Sequence, residues 1–141
     1  MELSDDIYLK ITELSDQGND FLDNGDYDKA VLAFENGLKL LPEPQIQWEA
    51  YTWLKASVGD AHFHAKRFNE CSEAEYDALN GVDGMGNPFI HLRLGQSLFE
   101  LGNMERAESE LLQAYMLEGK MIFSEDDPKY EEFILSKCDN L

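Results

Sequence analysis

Small residues recur along this chain at a fixed spacing. Gly18, Ala30 and Gly37 form one triple, Gly59, Cys71 and Ala78 a second, and Gly95, Ala107 and Ala114 a third. In each, the second residue follows the first by 12 positions and the third by 19. Larger residues fall between them: Phe21, His62 or Leu98 three after the leading glycine, and Tyr27, Phe68 or Met104 nine after it. Sixteen after it stand Phe34, Glu75 and Leu111, so the middle copy breaks the apolar rule at Glu75 and at His62. Two antiparallel helices joined by a tight turn approach closely only where small residues let their backbones meet. The large apolar residues fill the space beside each crossing, and pairs that cannot bury their faces alone must stack. The pattern predicts helix pairs over 11–44, 52–85 and 88–121. Residues 45–51 and 86–87 are inserted between the copies. The first insert is expected to lengthen a helix and the second to lie in a loop.

Local signals punctuate the same elements. Ser4, followed by Asp5 and Asp6, is a helix N-cap. Gly25 ends the first helix and Asp26 can cap the second. Leu41-Pro42 closes that helix and Pro44 can open the third. The run Asn80 to Asn87 is expected to be the most flexible stretch. Asn87 then caps, and Pro88 opens, the fifth helix, and Gly102-Asn103 turns into the sixth. Ser124 is expected to cap a last helix over about 125–138, with Tyr130, Phe133, Ile134 and Cys138 on one face.

These residues resemble the tetratricopeptide repeat family. The first copy carries Leu14, Gly18, Phe21, Gly25, Asp26, Tyr27, Ala30, Phe34, Leu38 and Pro42 in the family pattern. The third carries Leu94, Gly95, Leu98, Gly102, Ala107 and Ala114, and the middle copy is divergent. The resemblance implies an all-α fold: one domain over 1–141, built as a right-handed α-solenoid of three helix pairs sealed by a C-terminal capping helix. It also implies a concave groove lined by the first helix of each pair. The groove positions are Thr12, Ser15, Asn19, Leu22 and Asp23 in the first copy. They are Trp53, Ala56, Asp60, Phe63 and His64 in the second, and Phe89, Leu92, Gln96, Phe99 and Glu100 in the third. Aromatic anchors rimmed by charge suit a protein-binding surface. Two placements stay open for Trp53, Phe63 and Phe89: the groove wall, or the core and the underside of the chain's own terminal helix. Family members that clamp acidic chaperone tails carry groove lysines, whereas Ser15 and Phe89 stand at those positions here, although Asn19 and Arg93 match.

Charge narrows the class of partner. The 141 residues include 29 acidic and 11 basic ones, a net charge of −18. That excess disfavours nucleic acid and anionic membranes, which need clustered Lys and Arg. It favours salt-sensitive association with a basic protein. The acidic start Met-Glu-Leu-Ser-Asp-Asp lacks the features of a signal peptide, no apolar run spans a membrane, and a cytoplasmic location is expected. Cys71 and Cys138 are then expected to be reduced thiols.

Candidate chemistry is sparse. His62 and His64, two apart on a helix, point about 200° apart, so they do not chelate, and His91 belongs to another helix. The acidic run Asp20 to Asp28 lacks the ligand order of a calcium loop. The glycines of 81–86 are not followed by Gly-Lys-Ser/Thr, and Gly95-Gln96-Ser97 lacks the second glycine of a nucleophile elbow. No cofactor, metal or catalytic residue is indicated, and the chain is not expected to be an enzyme. The third copy and tail, from Asn87-Pro88-Phe89-Ile90-His91 to Asp126-Asp127-Pro128-Lys129-Tyr130, resemble short bacterial repeat proteins of polymorphic-toxin loci. That resemblance implies an immunity protein that neutralises a cognate toxin. The alternatives are a type III secretion chaperone of a hydrophobic translocator, which is similarly short and acidic, or a generic adaptor.

Overall fold

The computed structural model describes residues 2–138; Met1 and 139–141, the ends of the expected domain, lie outside the described residues. Helix α1 (Asp5–Asp23) starts at Ser4, whose hydroxyl accepts the Ile7 N–H. Its C-terminus closes through Gly25 at φ +79, with the Gly25 N–H on Leu22 O and the Asp26 N–H on Phe21 O. This is the left-handed helix stop for which glycine has no steric penalty. Helix α2 (Tyr27–Lys39) runs back against α1, and Asp26 precedes it without making a side-chain cap bond. Gly18 faces the ring of Phe34 so closely that a Cβ there would lie 2.5 Å from Cε1.

The same unit appears twice more. Helices α3 (Glu49–His64) and α4 (Phe68–Leu79) form the second pair, and α5 (Pro88–Glu100) and α6 (Met104–Glu118) the third. Each helix packs chiefly on its neighbours in the chain, as in a helical solenoid. Gly102, at φ +85, closes α5 as Gly25 closes α1, but the equivalent residue after α3 is Lys66, at φ +61. The Lys66 N–H bonds to Phe63 O and the Arg67 N–H to His62 O, so the middle repeat makes the same stop with a side chain in the strained region.

The inserts differ in detail from the sequence expectation. Residues 45–51 form a 3₁₀ turn (Gln45–Gln47) followed by the first residues of α3, so Pro44 opens the 3₁₀ turn rather than α3 itself. Gln45 Nε2 donates to Leu38 O and Trp48 Nε1 to Pro42 O, both at 2.8 Å. The side chain of Trp48 thereby joins the first core cluster, with Ile11, Phe34 and Leu54. The stretch 80–87, expected to be flexible, is anchored twice: Thr52 Oγ1 donates to Val82 O at 2.9 Å, and His91 Nε2 donates to Met85 O at 2.7 Å.

The last helix begins later than expected. Gly119 ends α6 at φ +89, and a second 3₁₀ turn (Lys120–Phe123) buries Ile122 and Phe123. The cap of α7 (Pro128–Lys137) is therefore Asp127, which accepts the Lys129 N–H, and not Ser124. Pro at the first helical position fixes that start. Tyr130 and Ile134 of α7 join Leu92, Leu111, Ala114, Ile122 and Phe123 in one buried cluster.

Candidate functional site

Helices α1, α3 and α5 lie side by side and enclose a cavity of about 390 Å³. Seven of the groove residues expected from sequence line it: Asn19 and Leu22 from α1, Trp53, Ala56 and Asp60 from α3, and Phe89 and Leu92 from α5. Trp53 also lines a neighbouring cavity of about 690 Å³ towards Leu3, Tyr8 and Trp48, so the concave surface continues to the start of the chain. Phe89 projects from the first turn of α5 and is 61% exposed. Its position is set by Asn87, whose Oδ1 accepts the Phe89 and Ile90 N–H groups.

The other eight, Thr12 and Ser15 among them, do not line it. Asp23 is exposed in the last turn of α1, outside the cavity. His64 sits 3.6 Å from Asp60 and stacks on Tyr27. Gln96 is wholly buried, so it presents nothing to a partner. Phe63, Phe99 and Glu100 face α7. Phe99 meets Tyr130 and Phe133 edge-on, at centroid separations of 5.4 and 5.2 Å, and Phe63 lies 6.5 Å from Tyr130. Glu100 accepts the Tyr130 hydroxyl and pairs with Lys129. The groove is therefore open along the N-terminal parts of α3 and α5 and covered by the chain's own α7 at their C-terminal ends, where Phe63, Phe99 and Glu100 lie. A single amphipathic stripe on α7 signals that the helix docks, but nothing in the stripe says where.

Arg93 joins the open and closed parts. Its Nε donates to Asp60 Oδ1 at 2.7 Å, and Nη1 donates to Gln96 Oε1 at 2.8 Å and to Asp126 Oδ1 at 3.3 Å. Its guanidinium carbon lies 4.3 Å from the centroid of Phe63. Burial opposes its charge, but Asp60 and then Asp126 outweigh burial and hold its pKa above the ordinary value.

The cavity lining also includes Ser57, Glu75, Asn87 and Ile90, which were not among the groove candidates. Glu75 of α4 is 1% exposed, and Oε2 has no hydrogen-bond partner. Burial, and next the charge of Asp60, push its pKa well above the ordinary carboxylate value, with Arg93 opposing them. Its signal in the sequence was the break of the apolar rule at the position of Phe34 and Leu111.

The histidines and cysteines have structural settings. His62 Nδ1 accepts from Arg67 Nε at 2.9 Å, and burial, then Arg67, lowers its pKa. His91 is held between Glu110 and Met85 O. Cys71 is buried, which pushes its thiol pKa up, and Cys138 is half-buried; both are free. Among the described residues no helix is long and apolar enough to cross a membrane.

The comparisons with known proteins agree with this geometry. Residues 15–70 match the family model described as Tetratricopeptide repeat. The whole stack has the tetratricopeptide-repeat fold. It is similar to the first such domain of Spaghetti (RPAP3) bound to an HSP90 peptide, SRMEEVD, at TM-score 0.74 and 19% identity, covering 92% of this chain and 94% of that one. The first domain of human RPAP3 matches at TM-score 0.72 and 20% identity, covering 94% and 98%. The Yersinia enterocolitica type III secretion translocator chaperone SycD matches at TM-score 0.72 and 17% identity, covering 96% and 95%. At these identities the likeness is one of fold. No curated protein matches the chain.

Proposed function

We propose that this chain is a protein-binding repeat module, not an enzyme, and that it acts in the cytoplasm as an immunity protein that binds and neutralises a basic toxin domain. The observation that carries the reading is the half-closed groove with aromatic side chains on its open part. Phe89 and Trp53 offer aromatic surface beside Asn19, Leu22 and Asp60, while α7 covers the C-terminal ends of α3 and α5. A groove shortened in this way suits a loop projecting from a folded partner better than a long extended segment. The net charge of −18 supports a basic partner through steering, since oppositely charged surfaces associate faster at low salt.

A second reading has its own support. The likeness to SycD extends over 96% of this chain, which favours a chaperone holding an unfolded apolar segment. The acidic HSP90 peptide of the RPAP3 structure is a poor guide to the ligand here. Ser15 and Phe89 stand where clamp lysines belong, and Arg93 is shared among Asp60, Gln96 and Asp126.

Co-expression with candidate toxin domains from the same locus tests the proposal. The expected result is rescue of growth and a stable complex, with Phe89→Ala raising the dissociation rate by about tenfold or more, as a central aromatic anchor does. Equal killing with and without this chain, and no recovered complex, would refute the immunity reading. Capture of an unfolded translocator segment in its place would establish the chaperone reading.

A further inference from the structure

Glu75 occupies a position that is apolar in the other two repeats. Phe34 and Leu111, at the same place, are fully buried against Gly18 and Gly95. The Glu75 side chain instead lies against the bare backbone of Gly59, where a Cβ would stand 2.7 Å from the carboxyl carbon. Gly59 thus opens a window from α4 through α3, and Glu75 reaches the lining of the 390 Å³ cavity. One of its oxygens, Oε2, is buried and has no partner. A buried carboxyl left unmatched is unfavourable in the free protein, and a ligand that supplies a donor relieves that.

We propose that this cavity receives a basic side chain, lysine or arginine, from the bound protein, and that its cationic end donates hydrogen bonds to Glu75 and Asp60. The inference rests on the reading of the groove as a protein-binding surface and names what that surface selects. Leu22, Trp53, Ala56 and Ile90 supply apolar walls for a methylene stem, which packs on such surface while its charged head seeks acceptors. The charged groups around Glu75 favour a cation. Asp60 faces it from α3 and Arg93 from α5, Cys71 lies one turn before it on α4, and Asp126 and Asp60 share the charge of Arg93. An acidic side chain would meet Asp60 and Glu75 at close range. Pairing with a cation favours the ionised form of the Glu75 carboxyl.

The test is an NMR titration of the full chain, carrying a ¹³C label in glutamate carboxyl groups. The probes are N-acetyl-lysine amide and N-acetyl-arginine amide, with N-acetyl-norleucine amide and N-acetyl-glutamate amide as controls. The basic probes should shift Ser57 and Asp60 saturably and move the Glu75 carboxyl resonance with the same concentration dependence. The norleucine probe should bind at least about tenfold more weakly. Glu75→Gln keeps the neutral shape of the side chain, so the fold should persist while affinity for the basic probes falls about tenfold; Asp60→Asn is the second variant. Shifts that are absent, equal for norleucine, or unaffected by both variants would overturn the proposal. A protein partner whose affinity depends on Phe89 but not on Glu75 would overturn this inference and leave the protein-binding reading standing. Saturable binding of the basic probes in a chain that retains no protein partner would support the cavity and overturn that reading.

Discussion

Tyr130 donates its phenolic hydrogen to Glu100 Oε1 across 2.9 Å and so fastens α7 to the last turn of α5. The hydroxyl keeps this proton, because burial first and the Glu100 hydrogen bond next raise its pKa. The ring meanwhile packs edge-on against Phe99.

Removing the hydroxyl should loosen α7 without unfolding the stack. Tyr130→Phe is expected to cost about 1.5–3 kcal/mol, the range for a hydrogen bond to a charged group. Tyr130→Ala should cost about 3–5 kcal/mol, since it also empties the aromatic site. Hydrogen exchange read along the chain checks this: amides of α7 should exchange faster while those of α1 and α2 hold their protection. Uniform loss of protection would show that α7 does not unlatch separately.

His91 makes stability depend on pH. Nδ1 lies 2.6 Å from Glu110 Oε2 and Nε2 lies 2.7 Å from Met85 O, an arrangement of two acceptors that favours the doubly protonated ring. The Glu110 hydrogen bond chiefly raises its pKa, burial opposes this, and Met85 O adds to the rise. A raised folded value means that the stabilisation is complete below the unfolded value of about 6.5 and is lost as pH rises through the folded value. Glu75, also raised, acts in the same direction from its lower unfolded value. Urea midpoints should therefore fall from acidic towards alkaline pH. His91→Gln should flatten the upper part of that fall and Glu75→Gln the remainder. An unchanged profile in the double variant would exclude these two groups as its source.

Lys66 holds a left-handed conformation where the other two repeats use Gly25 and Gly102. A left-handed residue with a side chain costs roughly 1–2 kcal/mol, which glycine avoids, less the extra chain entropy that glycine loses on folding. Lys66→Gly should therefore raise stability by up to about 1 kcal/mol. A lower urea midpoint would mean that the lysine side chain contributes more than its backbone strain costs.

The second and third crossings should respond differently to substitution. Gly95→Leu places atoms where a Cβ alone would lie 2.7 Å from Leu111 Cγ and 3.0 Å from its backbone nitrogen. It should destabilise by at least about 1–3 kcal/mol, as overpacking does, and Ala107→Leu, at a fully buried position, should do likewise. Glu75→Leu, which installs the residue of the third repeat, should instead stabilise at neutral pH by about 1–3 kcal/mol, the cost of an unsatisfied buried polar group. Chemical denaturation of all three variants at one pH separates these signs.

The repeat was legible because close helix crossings accept only small residues, and Gly18, Gly59 and Gly95 mark them at one spacing. Each sits against the side chain sixteen positions later, Phe34, Glu75 or Leu111. The groove was legible only in part. Phe63 and Phe99 carry the same repeat phase as Trp53 and Phe89, but phase says which way a residue faces and not what lies there. Docking of α7 depends on contacts between Tyr130 or Phe133 and residues some thirty or more positions away, and no local period encodes them. Glu75 was visible as a broken rule, but its path past Gly59 needed three dimensions. The start of α7 was misplaced because Ser124 and Asp127 are both good caps, and the 3₁₀ turn burying Ile122 and Phe123 decided between them.

The helix that covers the C-terminal ends of α3 and α5 is joined to α6 by a short connection containing only Gly119, one 3₁₀ turn and four further residues. A tethered segment of this kind presents itself to its own site at an effective concentration in the millimolar range or above. Any outside chain that seeks the surface of Phe63 and Phe99 competes against that concentration, whatever its own contacts are worth. A weak ligand is thereby confined to the open part of the groove, and only a ligand that outbids α7 gains its full length. The same sequence thus sets an affinity threshold between a short and a long mode of recognition, with the tether length as its dial.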